Sequence, residues 1–329
     1  MMNDQEYLKL ALNLAQKWRG FCAPNPSVGA IVVKNGHVIS EGEHLGPGHP
    51  HAEAVALNQV EKDIEDATLY VTLEPCCHWG KTPPCTERIV QSGIRKVVYG
   101  FRDPNPKVNG FGEQTLRELG VECRYVQLPE IDEFYESYAW WWKTKKPWVT
   151  AKLAISLDGK IAGKNGEPIS ITGQELKQFT HEWRKRSDAI LTTARTIIND
   201  DPAFNARLYG EVIPKPIYII DRNLEIPVSA QIFQTAKEVM VFQKESLSEM
   251  LEKMAEDGVH DVWVEAGGQL FTSLLTENLV QRAFVYVAPK VIGNSGIEGF
   301  IAENNVFRNA KDIRWENYGA DVVCEMRWV

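Results

Sequence analysis

The feature that most limits what this chain can fold into is a set of metal donors: His51-Ala52-Glu53, then Pro75-Cys76, then Pro83-Pro84-Cys85. His51 stands at the start of a predicted helix, Cys76 follows a predicted strand at 69–73, and Cys85 opens the next helix. A catalytic zinc takes three protein ligands and keeps a fourth position for water, and one imidazole with two thiolates is an accepted set. Amides at helix N-termini favour anions, so thiolates placed there are stabilised. Zinc in such a site lowers the pKa of bound water toward about 7. Glu53 stands too close to His51 to be an obvious second ligand, and it is the candidate to carry the water proton to a leaving amine.

A His-x-Glu followed by Pro-Cys and a second Cys is the pattern of zinc deaminases of nucleobases, although there the cysteines are two residues apart. Here eight residues lie between Cys76 and Cys85. On spacing alone Cys77 and His78 stay open as ligands. A closed knuckle of Cys76, Cys77 and Cys85 with His51 or His78 would leave Glu53 and the prolines without a role. Cys22, Cys123 and Cys324 lie in apolar stretches and are expected in the core. His37, His181 and His260 receive no role.

The composition narrows the partners. The net charge is −8 with both signs interspersed, which disfavours a polymeric nucleic-acid substrate. No run of about 18 apolar residues is present, so no membrane span is expected. The acidic start lacks the basic stretch and apolar core of a secretory signal, and the chain reads as cytoplasmic. Four tryptophans and three lysines crowd residues 138–148, read as a packing helix whose aromatics are buried.

Periodicity gives an α/β pattern in two parts. The first has helices at 7–18, from near 51, at 85–92 and at 113–119, and strands at 28–33, 68–73 and 96–100. Asn35-Gly36 is a type I′ turn signal that returns Val38-Ile39 antiparallel. A break falls at 143–147, where Lys146 precedes a proline. Beyond it come strands from 148 to 155 and at 188–193, 216–221, 238–242, 261–265 and 283–288. Thr172 to Glu175 reads as a capping box for a helix ending near Arg186. No Gly-x-Gly-x-x-Gly follows any predicted strand, so a Rossmann site has no support. The Gly267-Gly268 pair after a buried strand is a weak anion-binding signal, and a plain tight turn explains it better.

Longer segments carry a resemblance. Pro24-Asn25-Pro26-Ser27-Val28-Gly29, Gly48-His49-Pro50-His51-Ala52-Glu53, Leu73-Glu74-Pro75-Cys76 through Gly80-Lys81-Thr82-Pro83-Pro84-Cys85, and Asp103-Pro104-Asn105-Pro106 through Gly110 resemble the bifunctional riboflavin-biosynthesis deaminase/reductases. In that family the eight-residue gap is usual. The resemblance implies a cytidine-deaminase-like three-layer domain over residues 1–145, with one zinc on His51, Cys76 and Cys85 and Glu53 as proton shuttle. It places Asn25, His44 and Lys81 against the substrate.

In the second half, Ala151 through Lys160, Ser187 through Leu191, Asn199-Asp200-Asp201-Pro202 and Val264 through Gly268 are similar to the same family's dihydrofolate-reductase-like domain. The resemblance implies that residues 146–329 bind NADPH through Ala154, Ser170, Thr196, Asp200, Arg222 and the turn Gly267, Gly268, Gln269, Leu270, Phe271, Thr272, Ser273. Lys152, Pro168, Thr172, Arg184, Phe204, Arg207 and Glu265 would meet the substrate. Pro168, Ser170 and Arg222 depart from the usual residues of the family. The implied substrate is a phosphoribosylaminopyrimidine, and the implied assembly is a homo-oligomer formed through the reductase domain. The rival expectation is a nucleoside or tRNA deaminase with an appended domain of other function.

Overall fold

In the computed structural model, residues 2–60, 64–79, 83–301 and 309–329 are described. They form two compact units, Met1–Lys145 and Lys146–Val329.

In the first unit α1 (Asp4–Trp18) precedes β1 (Gly29–Lys34) and β2 (His37–Glu43); α2 (Ala52–Asn58), β3 (Thr68–Val71), α3 (Cys85–Ser92), β4 (Lys96–Tyr99), α4 (Phe111–Glu118), β5 (Glu122–Tyr125) and α5 (Pro129–Thr144) follow. The sheet order is β2-β1-β3-β4-β5, with the last three strands parallel and β1 antiparallel to both neighbours. Alternation along β1 sorts the core onto two faces. Ala30 and Val32 pack with Ala52 and Ala56 of α2 and Ile89 of α3, whereas Ile31 and Val33 pack with Leu8 and Leu12 of α1 and Ile131 of α5. The result is three layers, helices on both faces of one sheet. α1 begins earlier than its apolar spacing indicates, because Asn3 and Glu6 make a reciprocal capping box. Cys22 and Cys123 are buried as expected.

The second unit is built from β6 (Trp148–Ser156), β7 (Lys160–Lys164), α6 (Gln174–Arg186), β8 (Ala189–Thr193), α7 (Ala194–Asp200), β9 (Ala206–Leu208), β10 (Glu211–Ile213), β11 (Pro216–Ile220), α8 (Ile232–Thr235), β12 (Glu238–Phe242), α9 (Leu247–Glu256), β13 (Asp261–Glu265), α10 (Gly268–Thr276), β14 (Arg282–Ala288), β15 (Gly296–Glu298), β16 (Asp312–Tyr318) and β17 (Asp321–Arg327). Its eight-stranded sheet runs β12-β11-β8-β13-β6-β14-β17-β16, parallel from β12 to β14 and antiparallel at β17 and β16. α9 and α10 cover one face, and α6 and α7 the other. Cys324 lies in the core beside α10.

One local expectation fails here. α6 covers the anticipated stretch, but its N-cap is Gly173, with no side-chain cap. The Gly173 amide instead donates to Asp321 Oδ2 at 2.6 Å, a partner far away in sequence that leaves Thr172 free of the capping duty assigned to it.

Candidate active sites

In the first unit two helix N-termini and one loop bring the donors together. His51 is the N-cap of α2, Cys85 is the first residue of α3, and Cys76 sits in the loop after β3. His51 Nδ1 lies 3.2 Å from Cys85 Sγ and 3.5 Å from Cys76 Sγ, and the three donor atoms are within 4.8 Å of one another. Zinc bonds of about 2.0–2.3 Å in a tetrahedron put N and S near 3.5 Å apart, so this donor set fits zinc. The cluster contains neither Cys77 nor His78; the Cys77 thiol faces the Lys107 carbonyl.

Hydrogen bonds tune the donors. The Cys85 backbone amide, at the head of α3, donates to Cys76 Sγ at 3.4 Å. The Cys85 thiol and His51 also bond to Cys76, holding it at about 4, far below the usual thiol range. Glu53 is 4% exposed, and burial pushes its carboxyl above the ordinary range while the neighbouring His51 opposes that rise. Its carboxyl shares a hydrogen bond with the Cys85 thiol.

The residues expected to meet substrate are linked by a relay. His44 Nδ1 faces the Pro50 carbonyl at 3.0 Å, and a carbonyl only accepts, so Nδ1 carries the proton. Nε2 is then the acceptor for the Asn25 amide N–H at 3.0 Å, which turns the Asn25 carbonyl away from His44. Burial lowers the His44 pKa, in keeping with a neutral ring. Lys81 lies outside the described residues.

Glu74 is a functional neighbour that the motif reading passed over. It is 2% exposed, and its carboxylate accepts backbone N–H bonds from Asp103, Gly110 and Glu113 at 3.4, 3.1 and 3.1 Å. It thereby caps α4, whose own N-cap, Gly110, offers no side chain. Gly112 completes the docking, because a Cβ there would stand 2.1 Å from the Pro75 carbonyl oxygen. These contacts brace the loop that carries Cys76.

In the second unit a cavity of about 1540 Å³ opens across the carboxyl halves of four parallel strands, lined by Lys152 and Ala154 of β6, Thr193 of β8, Ile220 of β11 and Glu265 of β13. Such a crevice is where open parallel sheets bind ligands. Pro168, Ser170, Thr172, Thr196, Asp200, Phe204, Arg207 and Arg222 also line it, with Gly267, Gly268, Gln269, Leu270 and Ser273 at the start of α10. Its size suits a dinucleotide beside a sugar phosphate.

The structure qualifies the reading at five positions of this unit. Phe271 does not line the cavity; it is 2% exposed in the core, because the helical turn of α10 points it inward. Thr272 is turned away likewise, and its Oγ1 accepts from the Ile301 amide. The need for glycine at 268 comes from packing, since a Cβ would stand 2.0 Å from the Gly299 oxygen. Arg184 lines the cavity, but its fork is taken: Nε and Nη2 donate to Glu265 Oε1 and Oε2 at 2.5 and 2.9 Å, and Nη1 to the Asn205 carbonyl at 3.1 Å. Arg207 also lines the cavity and spends Nη1 on Asn205 Oδ1 at 2.8 Å. Arg222 is likewise anchored, Nη1 donating to the carbonyls of Gln243 and Glu245.

Two residues, one lining the cavity and one buried beneath it, had no assigned role. His181, three residues before Arg184 on α6, lines the cavity, and its Nδ1 accepts the Arg207 amide at 3.2 Å. Trp263 donates its indole N–H to Glu265 Oε1 at 2.7 Å. The helical i, i+3 spacing would have found the first and strand alternation the second.

The comparisons with known proteins agree with this geometry. Residues 1–101 match the cytidine and deoxycytidylate deaminase zinc-binding region, and residues 147–324 match the RibD C-terminal domain. The riboflavin biosynthesis protein RibD of Aquifex aeolicus is 36% identical, with 97% of each chain covered, and that of Escherichia coli K12 is 33% identical, with 89% of each covered. Among solved structures, Acinetobacter baumannii RibD has a TM-score of 0.89 at 32% identity, over 99% of both chains. The Thermotoga maritima diaminohydroxyphosphoribosylaminopyrimidine deaminase/5-amino-6-(5-phosphoribosylamino)uracil reductase has a TM-score of 0.90 at 34% identity, also over 99% of both. With both halves matched and relatives alike over nearly the full length, the chain belongs to the RibD family of riboflavin-biosynthesis proteins.

Proposed function

We propose that this chain performs two successive reactions on one phosphoribosylaminopyrimidine. The first unit, residues 1–145, hydrolyses the 2-amino group of 2,5-diamino-6-(5-phosphoribosylamino)pyrimidin-4(3H)-one and releases ammonia. The second, residues 146–329, reduces the ribosyl chain of the product to ribityl. The convergence of His51, Cys76 and Cys85 beside the buried Glu53 carries this reading.

Zinc held by His51, Cys76 and Cys85 supplies the Lewis acid that makes water nucleophilic near neutral pH. The protein's own part is proton transfer and orientation. Glu53, whose carboxyl burial pushes above the ordinary range, takes the proton of the attacking water and delivers it to the departing amine. Asn25, its amide fixed by His44, offers its carbonyl to an N–H of the pyrimidine ring. Lys81 is assigned to the phosphate as a point cation.

In the second unit NADPH supplies the hydride when bound. The start of α10 and Ala154, Ser170, Thr196, Asp200 and Arg222 hold the cofactor, and Lys152, Pro168, Thr172, Phe204, Arg207 and Glu265 meet the substrate. Arg184 acts through Glu265.

The net charge of −8 supports a small-molecule substrate over a nucleic acid. A cytoplasmic location is consistent with the described residues, among which no helix is long and apolar enough to cross a membrane. Homo-oligomerisation through the second unit has support in β16, the outermost strand of its sheet, where Ile313 and Trp315 are exposed. The test incubates purified protein and the diaminopyrimidinone ribosyl phosphate with and without NADPH, and identifies the products by mass spectrometry. A deaminated ribosyl product without NADPH, converted to ribityl on its addition, is expected. Ammonia release from cytidine or tRNA instead would replace this reading with the nucleoside-deaminase rival.

A further inference from the structure

The second unit holds a buried acid whose bonding capacity its neighbours nearly exhaust. The Glu265 side chain is about one-tenth exposed at the end of β13. An ionised carboxylate offers about four lone-pair positions. Arg184 fills two, through Nε on Oε1 and Nη2 on Oε2. Trp263, two residues earlier on the same face of β13, fills a third by donating its indole N–H to Oε1 at 2.7 Å. One position, on Oε2, is left.

We propose that Trp263 is a positioning residue for the reduction: its indole N–H saturates Oε1 and fixes the carboxylate plane, so that Oε2 of Glu265 is the single acceptor offered to a substrate hydroxyl or N–H. The inference rests on the reductase reading above. Trp263 is suited to the task because it does not move. It is fully buried and stacked on Trp183, ring centroids 5.4 Å apart and planes 18° apart. Indole nitrogen only donates, so the bond has one sense. Burial by itself raises the Glu265 pKa, but the Arg184 charge and hydrogen bonds, with Lys152, hold it at about 2. The Arg184 fork thus favours the ionised carboxylate, which accepts hydrogen bonds and has none to donate.

Trp263→Phe keeps the stack and most of the volume while deleting the donor. In the full-length chain, W263F is expected to lower kcat/KM for the ribosyl substrate ~10–100-fold, the range for a hydrogen bond to a charged group. The KM for NADPH and the deaminase rate stay at wild-type values. In an E265Q background the same substitution is expected to have no further effect, because Trp263 acts through Glu265. Trp263→His, with a ring N–H in a smaller volume, is expected to outperform Phe, whereas a space-filling role makes it worse; this ordering also serves if W263F folds poorly. An insensitive W263F, an equal loss in the E265Q background, or Phe outperforming His overturns the inference alone. Wild-type protein that does not oxidise NADPH on the ribosyl substrate overturns the reductase reading and the inference with it.

Discussion

The two sites of this chain are built on opposite plans. The metal cluster of the first unit packs three donor atoms within 4.8 Å, drawn from two helix N-termini and one loop, with one buried carboxyl beside them. The second site is a cavity of about 1540 Å³ spread over four strands and several loops. A metal demands particular atoms at fixed distances, so its ligands tolerate almost no change of residue type. A dinucleotide and a sugar phosphate are met largely by shape, backbone and scattered charges, so individual positions there drift. Single substitutions should therefore be all-or-none in the first site and graded in the second.

The largest effect should follow removal of a ligand. Cys76→Ala is expected to lose stoichiometric zinc and to cut ammonia release ~10³-fold or more, with reduction of the already deaminated substrate intact. Metal analysis beside an ammonia assay checks it; full zinc with full activity would break the ligand assignment. Next comes Glu53→Gln, which keeps size and polarity but cannot shuttle a proton. Zinc and substrate KM should persist while kcat falls ~10²–10⁴-fold. A fall in zinc content instead would make Glu53 a ligand or a support.

The same contrast explains what the sequence revealed. His51, Glu53, Cys76 and Cys85 were legible because chemistry restricts each to very few residue types, and the helix starts that present them follow from local pattern. The three-layer and parallel-sheet architectures were legible from alternation such as that of β1 and from the buried run of β13. Pairings distant in sequence were not legible. Thr172 resembles a helix cap by local rule, yet the Gly173 amide is held by Asp321, at the start of β17 far along the chain. Arg184 reads as a phosphate fork until Glu265 is seen to occupy it, and Phe271 as a turn residue until α10 rotates it into the core. β16 went unread because an exposed edge strand lacks a buried apolar face to signal it.

The Arg184–Glu265 pair sharpens the contrast through stability. Arg184→Leu leaves a buried carboxylate without its partner, a change worth about 3–5 kcal/mol. In a unit of this size that lowers the melting transition by roughly 10 °C. Calorimetry should show the loss in one transition only, with deamination preserved at room temperature. The double variant R184L/E265L should recover most of the loss, since replacing both charges by packed apolar groups removes the uncompensated one. No recovery would mean that Arg184 matters for its packing and not for its charge.

The smallest effect concerns His181 and pH. Burial, then the charges of Arg184 and Arg207, push this imidazole down to about 4 from its usual 6.5, while the Arg207 amide donates to Nδ1. Between pH 6.5 and 4 the unfolded chain therefore binds a proton that the folded chain refuses. Stability then falls as pH drops through that window and is unaffected by this group above it. His181→Gln removes the titration and keeps an acceptor for the Arg207 amide. Wild type and H181Q should melt alike at pH 7.5, and H181Q should be the more stable by pH 4.5. The gain should be about 1 kcal/mol or less, because the ring is only half-buried and solvent screens it. The deaminase transition should not register the substitution at any pH. If H181Q instead parallels wild type down to pH 4, the imidazole titrates normally and the two arginines are not pressing on it, which would free Arg207 to be drawn elsewhere and weaken its assignment to the substrate.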